Sequence, residues 1–552
     1  MEKNEIFKVT CAALGTQGEG IARRDGVTLF IPNFLPGERA SVRVLKVKGS
    51  VGYARVEELD TPAEVRVRPK CAVFGKCGGC QLQHLKYHVQ LKFKTQLVHD
   101  TLKKIAGIDF PVAACERSEK EYGYRNKLQL PVGRQNGQNV VGFYAERSHR
   151  IVPTQACPLH PAWAEGLISA LLNFMEKCGL DGYDEETGEG QIRHIVVREL
   201  KKKFIVTLVT TVPELKGIDY FFFLLDKVFP EYSFWLNVND KPTNVVFGDA
   251  FTLLKGPGFY DCQDGGITYE VGPRTFVQIN ENVRGRLYDR ALSFAEEGDT
   301  VIDCYAGGGL LTAKFARKCK KAYGIEIVPE AHDCAQKLRE ENDLADAMEN
   351  LCGRVEDLFA GVLEQHPEAL VVLDPPRAGV ARGVLDLLME KQVKKVVMIS
   401  CDPATLARDV GILTGSLVDE NGALVKAETP QGDYRLVTVE PFDMFPQTKH
   451  VETVVLLSKL NTKQHIEVEL NLDELDLTSA ESKATYDEIK AYVLEKHGLK
   501  VSSLYISQVK RKCGLDVGQN YNLSKKEDAK VPQCPPEKKT AIMEALKHFQ
   551  MI

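Results

Sequence analysis

The chain has 552 residues, of which 44% are apolar and 27% charged, with a formal net charge of −5. That is globular composition at a length suited to about three to four domains, and it excludes disorder, collagen and coiled coil as overall descriptions. No stretch approaches the roughly 18 consecutive apolar residues of a membrane span, the first ten residues have no signal-peptide core, and fifteen cysteines in so long a chain are too dilute for a disulfide scaffold.

A cytoplasmic protein with reduced thiols and no membrane partner is therefore expected. Residues 1–150 carry 25 Lys and Arg against 15 Asp and Glu, and the remainder carries 46 against 61. A basic front on an acidic body suits a polyanionic partner.

Residues 5–58 are short Val-, Ile- and Phe-rich runs cut by Gly15, Gly18, Gly20, Gly26, Pro32, Pro36-Gly37 and Gly49. Turns at about ten-residue spacing predict a small five-stranded barrel, with Arg43, Lys46 and Lys48 on one strand. Residues 61–90 turn rich in Cys, Gly and His. Residues 91–106 predict an amphipathic helix with Lys92, Lys94, Lys103 and Lys104 on its polar side. Residues 120–270 read as mixed α+β, and include Tyr124-Arg125-Asn126-Lys127 and Ile192-Arg193-His194.

From about residue 298 apolar runs alternate with helical stretches: Val301–Ile302, Ala322–Ile325, Leu370–Leu373 and Val396–Ile399. This rhythm predicts a doubly wound, mostly parallel sheet. Leu436 to Val439 and Val451 to Leu457 leave no room for a crossover helix and predict an antiparallel edge hairpin. Residues 461–552 balance 14 positive against 14 negative side chains and carry a helical stretch, Tyr486 to His497, followed by Leu504 to Lys512 with Lys510, Arg511 and Lys512. The expected domains are a barrel at 1–60, a central α+β domain at 61–270, a doubly wound domain at 271–460 and a small helical extension at 461–552.

Chemistry gathers at the ends of the α/β strands. Asp303-Cys304-Tyr305-Ala306-Gly307-Gly308-Gly309 follows the first strand, and glycines there let backbone approach a ligand. Glu326 ends the next strand, where a carboxylate can accept both ribose hydroxyls. The pair fits a dinucleotide or S-adenosylmethionine, and Asp-x-x-x-Gly-x-Gly favours the latter. Asp374-Pro375-Pro376-Arg377 makes a rigid strand exit carrying a carboxylate. Cys401, in Ser400-Cys401-Asp402-Pro403-Ala404-Thr405-Leu406-Ala407-Arg408-Asp409, precedes a helix whose dipole would favour thiolate. Glu452 opens the second strand of the hairpin. An antiparallel strand starts where parallel ones end, so Asp303, Glu326, Asp374, Cys401 and Glu452 should face one rim. Separately, Cys71, Cys77 and Cys80, with Cys157 before Pro158, offer four thiolates to zinc or an iron–sulfur cluster. The wide first step favours a cubane.

The chain resembles the RNA uracil-C5 methyltransferases, the family that includes the 23S ribosomal RNA enzymes and the tRNA T-loop enzyme, over about residues 5–460. The carriers are the Ser-Cys-Asp-Pro-Ala-Thr-Leu-Ala-Arg-Asp run, Phe445-Pro-x-Thr-x-His-Val-Glu452, the cysteine spacing and Phe276-Val-Gln278-Ile-Asn280. Phe30-Ile31-Pro32 with Leu35-Pro36-Gly37-Glu38 resembles the TRAM domain, a small RNA-binding barrel. The resemblance implies that Gln278, Tyr305, Glu326 and Asp374 bind S-adenosylmethionine, that Cys401 is the nucleophile and Glu452 the base, and that Cys71, Cys77, Cys80 and Cys157 hold a [4Fe–4S] cluster. It departs at Ala306, where the family usually has Cys. The barrel and cluster together point to 23S ribosomal RNA, with a tRNA uridine as the alternative and no obligate protein partner. The basic barrel and Tyr124 to Lys127 would hold phosphates. An RNA-binding iron–sulfur protein without catalysis, a redox or radical enzyme and a small-molecule methyltransferase are the competing classes. The intact reactive set argues against the first, the Cys-x5-Cys step against the second and the basic barrel against the third.

Overall fold

A computed structural model describes residues 1–420, 422–459, 486–513 and 534–548. The chain divides into two units, Met1–Lys463 and Gln464–Ile552. No helix among the described residues is long and apolar enough to cross a membrane.

The N-terminal sheet has six strands, in the order Ile6–Thr10, Arg39–Lys48, Val51–Thr61, Val27–Ile31, Gly20–Arg24 and Ala13–Leu14. The sixth is the two-residue strand Ala13–Leu14, too short to leave a pattern, which corrects the expected five. Its two edge strands are separated by only two residues of chain, so the sheet must curl until its edges meet. Ala40, Val42 and Val44 point inward by alternation, onto Leu29, Ile31 and Phe34, all fully buried. A Cβ on Gly20 would stand 2.4 Å from the Phe34 carbonyl oxygen, so only glycine fits that strand. Outside, Arg43 and Arg55 both bond Glu57, at 2.8 and 2.7 Å, which occupies Arg43, one of the three cations named on its strand.

A second, seven-stranded sheet runs Ala250–Lys255, Tyr232–Val238, Lys203–Thr210, Ile192–Leu200, Lys127–Gln135, Gln138–Tyr144 and Ile151–Pro153. Its one parallel pair, Lys203–Thr210 with Tyr232–Val238, is joined through helix Ile218–Leu225. That helix and Trp163–Cys178 cover the sheet, and Phe174 stacks on Phe221 with ring centroids 4.7 Å apart.

The third sheet is the doubly wound one. Its order is Met348–Cys352, Lys321–Glu326, Thr300–Cys304, Leu370–Leu373, Lys395–Ser400, Glu452–Lys459 and Tyr434–Phe442. The first five strands are parallel and the last two form the expected hairpin, antiparallel to their neighbours. Strands buried on both faces read as unbroken apolar runs, which is why Leu370–Leu373 is legible without alternation.

Helix Tyr87–Thr101 continues as a π-helical turn, Leu102–Ala106. Leu97, Val98, Leu102 and Ala106 enter the core of the doubly wound sheet, among Leu406, Ala407 and Val410. Lys92, Lys103 and Lys104 are exposed as expected, but Lys94 is not. It is fully buried and paired with the equally buried Asp443. A lysine turned inward to a carboxylate distant in sequence escapes any reading by apolar periodicity. The expectation that Lys94 lies on the polar face is corrected.

In the second unit, helices Tyr486–His497, Ser503–Lys512 and Pro536–His548 share a small core that includes Ile489, Val493, Ile506, Val509, Ile542 and Leu546. Lys510, expected at a basic end, is buried. The Arg511 side chain and residues 461–485 lie outside the described residues.

Candidate functional site

One cleft opens over the carboxyl ends of the parallel strands, lined by Gln278, Tyr305, Asp374, Cys401 and Glu452. Strand register builds it. Ser400 pairs with Thr453 in an antiparallel ladder, so the next residues outward, Cys401 and Glu452, stand opposite one another. Cys304 pairs in parallel with both Ile325 and Leu373, so Tyr305 emerges between Glu326 and Asp374.

The turn after Thr300–Cys304 is left-handed at Tyr305 (φ 68°), Gly307 (57°) and Gly309 (78°). A Cβ on Gly309 would come 2.8 Å from Ala335 Cβ, so that glycine also permits the close helix packing behind the turn. Glu326 is tied to this turn. One carboxylate oxygen accepts from the Gly307 N–H and the other from the Val328 N–H, both at 2.8 Å. It stands beside the glycine turn and is not part of the cleft lining. The Tyr305 hydroxyl is buried, close to the backbone of Ala381.

Three carboxyls crowd the floor. Asp303 is buried and accepts from the Thr312 hydroxyl at 2.6 Å. Burial pushes it up to about 7, against that bond and with help from the Asp374 charge. Low-polarity surroundings push Asp374 up to about 7 as well. Burial and then the Asp374 carboxylate push Glu452 up to about 8, while Arg377 pulls it down. Such a set holds protons that a ligand's charge can displace.

Burial, followed by the Glu452 carboxylate, pushes the half-buried Cys401 thiol up to about 11, against the pull of Arg377. Burial and the Glu452 carboxylate outweigh the lowering expected from a helix start, and the helix start itself is occupied. Helix Pro403–Leu413 is capped by Asp402, whose carboxylate accepts from the N–H groups of Ala404 and Thr405 at 2.8 and 3.3 Å. The helix's positive end is spent on Asp402, and Cys401 lies one residue before it.

The loop that delivers Glu452 is anchored from elsewhere in the chain. Gln90 and Gln447 exchange two hydrogen bonds, side-chain amide to side-chain oxygen at 2.9 Å and Gln447 N–H to Gln90 at 3.1 Å. The Leu82 N–H donates to the Gln447 carbonyl at 3.0 Å, and the Tyr124 hydroxyl to Pro446 at 3.1 Å. Lys94 pairs with Asp443 and donates to Phe445 at 3.1 Å. Asn280, fully buried, donates to Ser118 and Met444. The sequence places Lys94 on a polar face and Asn280 in the Phe276-Val-Gln278-Ile-Asn280 run, and neither reading gives the loop-anchoring role that the two share with Asp443. Asn280 stands at a helix N-cap, where its side chain makes no cap bond and ties loops instead. Breaking a fully buried pair leaves an uncompensated charge, so Lys94→Ala should cost about 3–5 kcal/mol. A lowered urea midpoint is expected, largely recovered in Lys94→Met/Asp443→Leu. An unchanged midpoint for Lys94→Ala would refute the pair's structural role.

Of Tyr124 to Lys127, expected to meet phosphate, Tyr124 and Asn126 turn inward, while the two cations Arg125 and Lys127 are half-buried. Tyr124 holds Pro446, Asn126 donates to the Gln278 carbonyl at 3.1 Å, and Arg125 lines a second cavity. Polar residues in a run do not reveal which way a strand entrance turns.

That second cavity is lined by Cys71, Cys77, Cys80 and Cys157. Burial pushes the thiols of Cys80 and Cys157 up to about 12 and 11. Gln83 accepts from the Cys71 N–H at 3.1 Å and turns its amide nitrogen toward Cys80; that nitrogen and the Arg125 Nε are buried with no nitrogen or oxygen partner among the described residues. Among the described residues no three His, Cys, Asp or Glu are grouped to hold a single metal ion. Four sulfurs around a cavity, with two buried N–H donors, fit a larger anionic group with sulfur acceptors.

Comparison with known proteins adds three findings. The family described as tRNA (Uracil-5-)-methyltransferase matches residues 259–460, and the TRAM domain matches residues 2–56. An RNA methyltransferase of Oceanobacillus iheyensis is 38% identical over 83% of this chain and 97% of its own, and one of Listeria monocytogenes is 36% identical over 83% and 98%. A solved structure, the tRNA (uracil-54, C5)-methyltransferase of Pyrococcus abyssi in complex with S-adenosyl-L-homocysteine, shares the fold. Its TM-score is 0.62, with 24% identity, covering 82% of this chain and 100% of that one.

Proposed function

The chain belongs to the RNA uracil-5 methyltransferase family that carries a TRAM domain, and from that premise we propose how its residues divide the work. It is an S-adenosylmethionine-dependent RNA methyltransferase. The reaction we assign it is transfer of a methyl group to C5 of a uridine in 23S ribosomal RNA, in the cytoplasm. The observation that carries the reading is the ladder pair Ser400–Thr453, which sets Cys401 and Glu452 side by side over a cleft shared with Asp374.

Uracil C5 is a weak nucleophile. Addition of the Cys401 sulfur, as thiolate, to C6 moves electron density to C5. S-adenosylmethionine supplies the methyl group that C5 then takes. Glu452, as carboxylate, accepts the C5 proton. The C5–H electrons restore the C5–C6 double bond and the sulfur leaves C6 as thiolate. Beside a positive charge Asp374 and Glu452 ionise more readily than in the empty cleft, so Glu452 is ready as a base when the cleft is filled. Gln278, Tyr305, Glu326 and Asp374 are assigned to the methyl donor, Glu326 from the edge of the glycine turn. A stacked uridine cannot reach Cys401, so the target is a flipped or unpaired base.

Cys71, Cys77, Cys80 and Cys157 would hold a [4Fe–4S] cluster. It would act there as a crosslink between segments far apart in sequence, and no step of methyl transfer passes through it. Domain limits at 1–60, 61–270, 271–460 and 461–552 complete the reading.

Anaerobically purified protein with tritiated S-adenosylmethionine should place label in 5-methyluridine of unmodified 23S ribosomal RNA. Label in tRNA alone would keep the chemistry and overturn the substrate. Tight donor binding with label in neither RNA would favour a binding protein without catalysis.

A further inference from the structure

A third groove lies outside the cleft and the cysteine cavity. Arg68, Lys70, Lys86, His88 and Arg117 line it, with Glu121 as its one carboxylate. All five basic side chains are exposed, and none makes an ion pair among the described residues. Some basic residues elsewhere are engaged, Arg43 and Arg55 with Glu57 and Arg125 beside the cysteines, while Lys46 and Lys48 of the barrel stay exposed. Two half-buried rings fix cations in the groove. Lys70 lies 4.2 Å from the Tyr122 ring centroid and Arg117 6.0 Å from that of Tyr87. Tyr87 is itself held, its hydroxyl accepting the Ser118 N–H at 2.8 Å.

Gln447, in the loop that delivers Glu452, is part of the groove's lining. Chain lying in the groove would therefore pass beside that loop. Unpaired cations beside aromatic rings, next to the loop that carries Glu452, match the requirements of a single-stranded polyanion. We propose that this groove binds the single-stranded RNA flanking the target uridine, and that Lys70, Lys86 and Arg117 contact its phosphates. The proposal rests on the uridine-methylating reading of the cleft. An acidic peptide is the competing occupant.

The test uses the full chain and a fluorescein-labelled single-stranded RNA oligonucleotide, titrated across a range of salt. Lys70→Ala/Lys86→Ala/Arg117→Ala should lose about tenfold or more in affinity at low salt. Its salt slope should flatten by about 2, the share of three phosphates at roughly 0.7 each. S-adenosylmethionine affinity should be unchanged, which also reports an intact fold. Lys70→Arg/Lys86→Arg/Arg117→Lys should keep the wild-type slope. Unchanged affinity and slope in the alanine variant would overturn the groove. So would poly-glutamate binding the wild type as tightly as RNA does and losing as much in the alanine variant. Failure of the wild type to bind RNA at all would instead strike the functional reading.

Discussion

Cys401→Ala abolishes methyl transfer, by about 10⁴-fold or more, while S-adenosylmethionine affinity stays within about twofold. The loss corresponds to at least about 5.5 kcal/mol of transition-state stabilisation. Its size follows from the chemistry: without a sulfur at C6, C5 has no enolate-like character and the reaction reverts to an unactivated carbon. The binding term is spared because Cys401 stands on the hairpin side of the cleft, opposite Glu452, and away from the glycine turn. Cys401→Ser should be nearly as inactive, since a hydroxyl in that position is far harder to ionise than a thiol already raised to about 11. Single-turnover transfer with labelled donor, alongside calorimetry of donor binding, measures both terms. A residual rate within a hundredfold of wild type would remove Cys401 from the mechanism.

Glu452→Gln has the second large effect, of a different kind. Addition and methyl transfer precede proton removal, so the variant should complete one methylation and stop with RNA attached to Cys401. Gln preserves the shape of a buried residue and relieves the repulsion between Asp374 and Glu452, so folding should not suffer. A covalent protein–RNA band stable to denaturant, with turnover lowered by about 10³-fold or more, is expected. Multiple turnovers at the wild-type rate would show that another group takes the C5 proton.

Much of the α/β architecture was legible because buried parallel strands leave unbroken apolar runs and the turns after them leave glycine and proline. The hairpin was legible from the short spacing between its strands, and with it the meeting of Cys401 and Glu452 at one rim. What escaped was the direction of polar side chains. Lys94 reads as a solvent lysine and is buried against Asp443. Tyr124 and Asn126 stand in a run that reads as an RNA patch, and they hold the cleft from behind. Both depend on partners some 150 to 350 positions away, which local pattern cannot encode. The basic groove escaped for the opposite reason: its cations come from 68, 70, 86, 88 and 117, with no motif to join them. The Cys401 expectation failed because burial and the Glu452 carboxylate raise the thiol, while Asp402 takes the helix start that it was expected to use.

Methyl transfer through Cys401 requires a covalent bond between its sulfur and C6 of a uridine that has received a methyl group at C5. Mass spectrometry of the nuclease- and protease-digested complex of the Glu452→Gln variant with RNA and S-adenosylmethionine tests it most directly. A peptide containing Cys401 that carries a methylated uridine nucleotide is expected. An adduct on another cysteine, or a methylated RNA with no protein attached, would contradict it.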